Sequence, residues 1–396
     1  MAINISGNDN REGWRVARVA FVVAVFGWGL GFYGVAVYVP ALHEAHGWPI
    51  ATVSTAVTAH YLVGAMLIAC LPAAYRRLGV ARVTVIGAAV AACGAMAWAT
   101  AREPWQLVPA VLLSGAGWSA MSGAALNAMV APWFDRDRPR AMGFAFNGAS
   151  AGGLLLTPLW AVLIGHLGLP GAAFLMAAAT ALAVCPLAAR FLAPPPCAAM
   201  PAVAARPSSR RALLGQRAFL TLSLAFALGL FAQIGLVTHL ITRLQPLFGT
   251  QLAALALSLV TVCAIAGRTL LGRLIGDRDR RRIAAGNLLL QAAGTVLLML
   301  GDDAAPLIAG CVLFGLGFGN LTSLPPLIAQ RDFPPADVGT VVALVTAINQ
   351  AVFALAPASL GWLREQSGDY ALSFLVAAMA QLTAAGILTL RVIPRR

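Results

Sequence analysis

The sequence predicts an all-α membrane protein with twelve transmembrane helices in two six-helix bundles, and three observations lead to that prediction. The chain has 396 residues, of which 60% are hydrophobic and 10% are charged, whereas soluble domains carry roughly a quarter charged residues. Apolar windows of about 20 residues, the length that crosses a bilayer core, recur along the chain. The basic residues fall mainly on alternate breaks between these windows.

The apolar windows are separated by short breaks that contain Arg, Pro or Asp. We predict helices over 17–39, 51–74, 80–101, 106–131, 140–165, 170–192, 218–241, 251–275, 283–300, 305–329, 338–362 and 370–391. Residues 193–217 are too polar and too rich in proline to cross a bilayer. We interpret them as a cytoplasmic linker between an N-terminal bundle, 1–192, and a C-terminal bundle, 218–396.

The arginines predict the orientation of the chain. All 27 basic residues are Arg, and the breaks on one side hold only Arg102, Arg243 and Arg364. By the positive-inside rule, both termini then lie on the cytoplasmic side, and we expect a bacterial inner membrane. The net charge of +13 would suit nucleic acid, but arginines dispersed between spans indicate a lipid bilayer as the partner instead.

The reactive residue types argue against an enzyme. The six cysteines have no CxxC spacing and mostly lie within apolar windows, so we expect no metal site and no cofactor. All fourteen acidic residues lie at the termini or in predicted loops, which leaves no acid–base pair inside the membrane and no carboxylate proton relay. We therefore expect a protein that acts on a small molecule without catalysing a reaction. We also expect it to be a monomer.

One charge lies inside a predicted span. Arg268 precedes Asp277 by nine residues, about 13 Å along a helix. An ionisable group at this depth indicates a functional site, and the planar guanidinium suits a carboxylate. The alternative is that Arg268 reaches back to the cytoplasmic surface or caps backbone carbonyl groups.

Neutral polar residues within the spans are further candidates. We predict substrate contacts from Tyr33, Tyr38, Asn147, Gln233 and Asn349. The two tyrosines lie about 140° apart around the first helix, so both line one pathway only if that helix bends or the pathway is wide.

Titratable residues in and near the spans form the remaining candidates. His60 and His239 are predicted to serve as a proton or polar relay, with hydrogen-bonded packing as the alternative. Six charged residues are predicted to form a gate at the cytoplasmic side: Asp277, Arg278, Arg76, Arg77, Arg136 and Arg138. The alternative is that they are solvated anchors at the membrane surface.

Three short patches resemble a known family. The stretch from Arg268-Thr269-Leu270-Leu271-Gly272-Arg273 to Asp277-Arg278 resembles the eighth helix and following loop of major facilitator transporters. Within that superfamily Arg268 is similar to the substrate arginine of the monocarboxylate and oxalate/formate antiporter branches. Trp133-Phe134 with Arg136, Arg138 and Arg140 resembles the helix 4–5 junction, and the spacing of Tyr33 and Tyr38 is similar to that of cavity tyrosines in those antiporters.

The resemblance implies a secondary carrier whose two bundles rock around a central site for a small organic anion, by exchange or proton symport. The chain departs from the branch at Ala264, where animal monocarboxylate carriers have an aspartate, and at Asn349-Gln350, where an antiporter has a lysine. A single cation favours a monocarboxylate over a dianion.

Two alternatives stay open. The apolar spans would also suit a broad-specificity efflux pump for lipophilic compounds. The first-half loop motif is degraded, with Pro72 and Arg76 in place of its glycine and aspartate. That departure favours a non-transporting sensor or scaffold.

Overall fold

The structure is a computed structural model that describes residues 7–192 and 208–390. This part of the chain is helical and contains no strand. Its contacts divide the chain into an N-terminal unit, Met1–Ala205, and a C-terminal unit, Arg206–Arg396. Residues 193–207 of the predicted linker lie outside the described residues.

The N-terminal unit is built from long helices joined by short turns. Its α-helices are α1 Gly7–Gly31, α2 Tyr33–His46, α3 Ile50–Ile68, α4 Leu71–Leu78, α5 Val80–Thr100, α6 Leu107–Met121, α7 Gly123–Val130 and α8 Arg138–Phe191.

The C-terminal unit has the same character. Its α-helices are α9 Arg210–Leu214, α10 Arg217–Leu274, α11 Arg280–Leu300, α12 Ala304–Phe318, α13 Asn320–Asp332, α14 Pro335–Phe353, α15 Ala356–Ser367 and α16 Ala371–Thr389.

The described helices support the predicted number of spans. Eleven helical segments are long and apolar enough to cross a membrane, where α10 counts as two segments and the pairs α6–α7, α12–α13 and α14–α15 count as one segment each. One of them, α8, has 54 residues and measures about 80 Å, more than twice the hydrocarbon thickness. Its backbone breaks at Gly168, where φ is 67°, a conformation that favours glycine. Because α8 therefore crosses twice, the twelve-helix prediction is confirmed.

Several span boundaries differ from the prediction. The first span was predicted over 17–39, whereas α1 and α2 together run from Gly7 to His46 with a break at Phe32. The seventh was predicted to end at 241, but helix continues to a second glycine break at Gly249, where φ is 72°. Hydropathy marks the part of a helix that lies in the bilayer, so helical residues beyond the headgroups escape it.

The two units repeat the same helix contacts 200 residues apart. In the N-terminal unit, Gly94 of α5 lies against the backbone of Ser114 in α6; in the C-terminal unit, Gly294 of α11 lies against the backbone of Phe314 in α12. The pairs Gly117–Ala91 and Gly115–Val63 recur as Gly317–Gln291 and Gly315–Cys263. These shared contacts show a structural repeat between the two halves, as in transporters built from internal repeats.

Glycine at these contacts sets the distance between helices. A Cβ atom at Gly294 would lie 2.5 Å from the backbone nitrogen of Phe314 and 2.8 Å from the Gly310 carbonyl oxygen. Neither backbone atom can rotate away, so a side chain would push the helices apart. Close approach gives membrane helices the van der Waals contact that lipid does not otherwise favour.

We expect Gly294→Ala to lower the thermal unfolding temperature of the detergent-solubilised protein. Overpacking of this kind typically costs about 1–3 kcal/mol. Gly286→Ala on the same helix is the matched control, because a Cβ there meets no atom within 4 Å. Equal melting temperatures for the two variants would contradict the proposed contact.

Candidate functional site

Arg268 is buried in the second half of α10. Its side chain is 3% exposed, and its Nε–H donates to the carbonyl oxygen of Gly319 over 2.9 Å. The helix ends six residues later at Leu274, about 9 Å along the axis. The guanidinium therefore does not reach the surface, whereas its Nε–H bond to a backbone carbonyl is the contact that the alternative role of Arg268 expects.

The partner of Arg268 lies at the joint between α12 and α13. Gly319 separates Phe318, the last residue of α12, from Asn320, the first of α13. A Cβ at Gly319 would overlap the Arg268 guanidinium, mainly at Nη2. Glycine at position 319 thus makes room for the arginine as well as offering its carbonyl.

Two other predicted residues are buried amides of the C-terminal unit. Gln233 of α10 is 2% exposed and Asn349 of α14 is 3% exposed. Each has a side-chain oxygen without a hydrogen-bond partner. A carboxamide can both donate and accept, so both side chains can serve a polar ligand.

In the N-terminal unit, Tyr33 and Asn147 lie at two different contacts of α8. Tyr33 begins α2, and its ring lies against Gly153 of α8, where a Cβ would overlap it. Asn147 is half-buried on the same helix, beside Gly148, which approaches the Phe21 carbonyl of α1.

Tyr38, in contrast, belongs to the core of the N-terminal unit. It is 1% exposed and stacks on Trp98, with ring centroids 5.3 Å apart, and it meets Trp160 edge-on at 5.6 Å. Its hydroxyl has no hydrogen-bond partner. The break at Phe32 separates Tyr33 from α1, and the two tyrosines have different surroundings.

His60 is held by hydrogen bonds at both ring nitrogens. It is completely buried in α3, with Nδ1 2.8 Å from Ser114 Oγ and Nε2 2.9 Å from the Gly31 carbonyl oxygen. Ser114 Oγ also accepts a bond from Trp98 Nε1 at 2.9 Å. We infer the tautomer in which Nε2–H donates to Gly31, because a carbonyl oxygen can only accept; Nδ1 then accepts from the serine hydroxyl.

The bonds from His60 and its neighbour end at the break in the first span. Tyr61 donates its hydroxyl to the Phe32 carbonyl oxygen over 3.2 Å, directly beside the Gly31 carbonyl that His60 holds. Backbone groups freed inside a bilayer need such partners. Hydropathy carries no signal for this arrangement, so sequence reasoning missed Tyr61, Ser114 and Trp98.

His239 has a more open setting than His60. It is half-buried in α10, with Nε2 3.0 Å from the Pro357 carbonyl oxygen and its ring 5.6 Å from that of Tyr370.

The predicted gate residues of the N-terminal unit lie near helix ends. Arg76 and Arg77, at the end of α4, and Arg136, before α8, are exposed. Arg138 is half-buried and donates from Nε to the Phe134 carbonyl oxygen over 2.6 Å.

The predicted gate residues of the C-terminal unit are exposed beyond the end of α10. Arg278 donates to the Leu274 carbonyl oxygen at 2.9 Å, and its own carbonyl accepts from Arg331 at 2.7 Å. Asp277 is also exposed.

A neighbouring ion pair was not predicted. Arg281 of α11 meets Asp332 of α13 at 2.7 Å and also donates to Thr221 Oγ1 and to the Ala218 carbonyl of α10. One guanidinium thereby ties together three helix ends.

Membrane-crossing helices in two repeat-related units, with polar side chains buried inside the spans, define a polytopic transporter rather than an enzyme. Residues 15–357 match the model of the Major Facilitator Superfamily, and the chain belongs to that family. It is 29% identical to the human protein Monocarboxylate transporter 11 over 93% of this chain and 80% of that protein.

Two further similarities are weaker or shorter. The structure of the human organic anion transporter MFSD10 aligns with a TM-score of 0.75 at 18% identity, over 96% of this chain and 99% of that one, which shows the shared fold. A probable actinorhodin transporter of Streptomyces coelicolor is 31% identical over 29% of this chain and 21% of that protein.

We expect Ser114→Ala to destabilise the protein, because both Trp98 Nε1 and His60 Nδ1 lose a partner. The loss should be about 1–2 kcal/mol, measured as a lower thermal unfolding temperature. Ser119→Ala is the matched control: Ser119 is also buried on α6, but its hydroxyl bonds only the carbonyl of Ala116 on its own helix. A drop no larger than that of the control would rule out the bridging role.

Proposed function

We propose that this protein is a secondary carrier of a small organic monocarboxylate and that Arg268 binds the carboxylate group. The observation that carries the proposal is the burial of the Arg268 guanidinium inside a span, oriented by the Gly319 carbonyl. A guanidinium pairs with a carboxylate through two parallel hydrogen bonds, which gives both affinity and orientation.

The charge distribution supports a monoanion. The acidic residues of the described spans lie at helix ends or between helices, as Asp332 and Asp337 do. A single deep cation matches a single negative charge better than two. The relative named Monocarboxylate transporter 11 aligns with 93% of this chain and supports the same class of substrate.

Neutral contacts complete the proposed site. Within the C-terminal unit we assign this role to Gln233 and Asn349. Tyr33 and Asn147 stay separate candidate contacts of the N-terminal unit. Tyr38 and His60 we assign instead to the scaffold, because one is packed between two tryptophans and the other is bonded at both ring nitrogens.

Coupling is by exchange or proton symport, with His239 as the remaining relay candidate. Faster uptake into vesicles preloaded with the carboxylate indicates exchange, whereas uptake driven by an imposed pH gradient indicates symport. We also propose that the Arg-rich ends face the cytoplasm of a bacterium and that the charges there control opening: Asp277, Arg278, Arg76, Arg77, Arg136 and Arg138.

An efflux pump for lipophilic compounds is the second candidate function. The relative named a probable actinorhodin transporter, similar over 123 residues, favours it. Thermal-shift measurements separate the two candidates, because a ligand that binds the native protein raises its melting temperature. Stabilisation by small acids supports the carrier, and stabilisation by lipophilic compounds alone supports the pump.

We expect Arg268→Ala to abolish carboxylate uptake in proteoliposomes, and Arg268→Lys to remain poor because an ammonium cannot form the bidentate contact. Arg273→Ala, an exposed arginine five residues later on the same helix, should transport normally. Carboxylate uptake by a correctly inserted Arg268→Ala protein would contradict the proposal.

We expect Gly319→Ala to impair uptake without unfolding the protein. The new methyl group would overlap only the far end of a flexible side chain, so the guanidinium moves while the helices stay in place. The apparent KM should rise roughly tenfold or more. Gly339→Ala, where a Cβ meets no atom within 4 Å, is the control and should leave KM unchanged.

A further inference from the structure

Three amides form a buried cluster beside Arg268 that the proposed function does not use. The amide cluster consists of Asn287 and Gln291 of α11 and Asn320 of α13. Asn287 Nδ2 and Gln291 Nε2 both donate to the Gly317 carbonyl oxygen, at 3.1 and 3.2 Å. Asn320 Nδ2 donates to Asn287 Oδ1 at 2.8 Å and to the Leu316 carbonyl at 3.1 Å.

These bonds hold the segment that orients Arg268. They end on residues 316, 317 and 320, and the carbonyl that accepts from Arg268 belongs to residue 319 of the same segment. The joint between α12 and α13 is thus bonded from α11 on one side and from Arg268 of α10 on the other.

The repeat provides an internal comparison for the cluster. At the equivalent positions of the N-terminal unit stand Gly87, Ala91 and Ala120. Gly87 packs directly on Ala120, and Gly117 packs on Ala91. At these positions the α5–α6 pair packs through small residues, so amides are not needed there to form the contact.

The amides also carry a penalty that packing alone does not explain. Asn320 and Gln291 are at most 3% exposed, and the side-chain oxygen of each lacks a hydrogen-bond partner. A buried polar atom without a partner is destabilising. Residues that cost stability and are dispensable for packing are expected at functional sites.

We propose that Asn287, Gln291 and Asn320 are positioning residues that fix the joint between α12 and α13, and with it the guanidinium of Arg268, in the geometry that binds the substrate anion. The role in transport rests on the proposed function; the coupling to Arg268 does not. Loss of one amide loosens the Leu316–Asn320 segment and lets the Gly319 carbonyl shift, so the guanidinium loses its orientation while its charge remains.

The test is a pair of double-mutant cycles with Asn320→Ala and Arg268→Lys. Asn320→Ala alone should raise the KM for a monocarboxylate such as lactate roughly ten- to hundredfold, with Vmax per inserted protein nearly unchanged. In the Arg268→Lys background the same substitution should raise KM no further, because it acts through the guanidinium. A purely structural role predicts lower Vmax and melting temperature with an unchanged KM.

A second variant and a control guard against misfolding. Asn287→Ala removes a donor to Gly317 and the acceptor of Asn320, and should reproduce the KM effect. Gln381→Ala is the control: Gln381 is a buried amide of α16 that accepts from Thr295 and, among the described residues, makes no hydrogen bond to the Leu316–Asn320 segment. Its loss should leave KM unchanged. An equal KM increase in the control would overturn the proposal.

The second cycle uses melting temperatures without ligand and does not depend on the substrate. Positioning predicts that the effects of Asn320→Ala and Arg268→Lys are not additive, and simple additivity overturns the inference. If Arg268→Ala retains carboxylate uptake while this thermal cycle stays non-additive, the proposed substrate is wrong and the positioning role stands.

Discussion

A helix that breaks inside a bilayer must find protein partners for the carbonyl groups it frees, because lipid offers none. The best-defined polar contacts of both units meet this need. In the N-terminal unit, His60 and Tyr61 bond the carbonyls at the Phe32 break. In the C-terminal unit, amides and Arg268 bond the carbonyls at the Gly319 joint. Satisfying the backbone at these breaks therefore accounts for these particular buried polar residues.

The two units meet this constraint at different places in the same repeat. The N-terminal unit joins His60, Trp98 and Ser114 by hydrogen bonds, whereas the C-terminal unit has Val260, Leu298 and Phe314 at the equivalent positions. For the amide cluster the polar residues are in the C-terminal unit, and the equivalent N-terminal positions hold Gly87, Ala91 and Ala120. Small residues in equivalent contacts preserve the shared helix packing, and the polar departures from the repeat distinguish the two units. The C-terminal departure contains the amides for which we propose a positioning role, and the N-terminal departure belongs to the scaffold.

Hydropathy and arginine placement were sufficient to predict the helical class and the number of spans, because both follow from the cost of polar groups in lipid. The breaks at Phe32 and Gly319 could not be predicted, since neither residue is a proline and the side chains that bond the carbonyls there are distant in sequence. Tyr33 and Tyr38 likewise look equivalent in the sequence, although only Tyr38 is enclosed by tryptophans. Asn287 and Gln291 could have been found from the sequence, because aligning the two halves 200 residues apart places these amides opposite Gly87 and Ala91.

The contact between Arg268 and Gly319 also constrains how this carrier can diverge. A side chain at position 319 and a guanidinium at position 268 compete for the same space. A duplicated copy of the gene that acquires a larger residue at 319 first loses its oriented cation, whereas one that first replaces Arg268 gains room for new side chains at 319. Under the proposed role of Arg268 in substrate binding, a change of substrate is therefore expected to begin at the arginine, with the glycine free to vary only in its descendants.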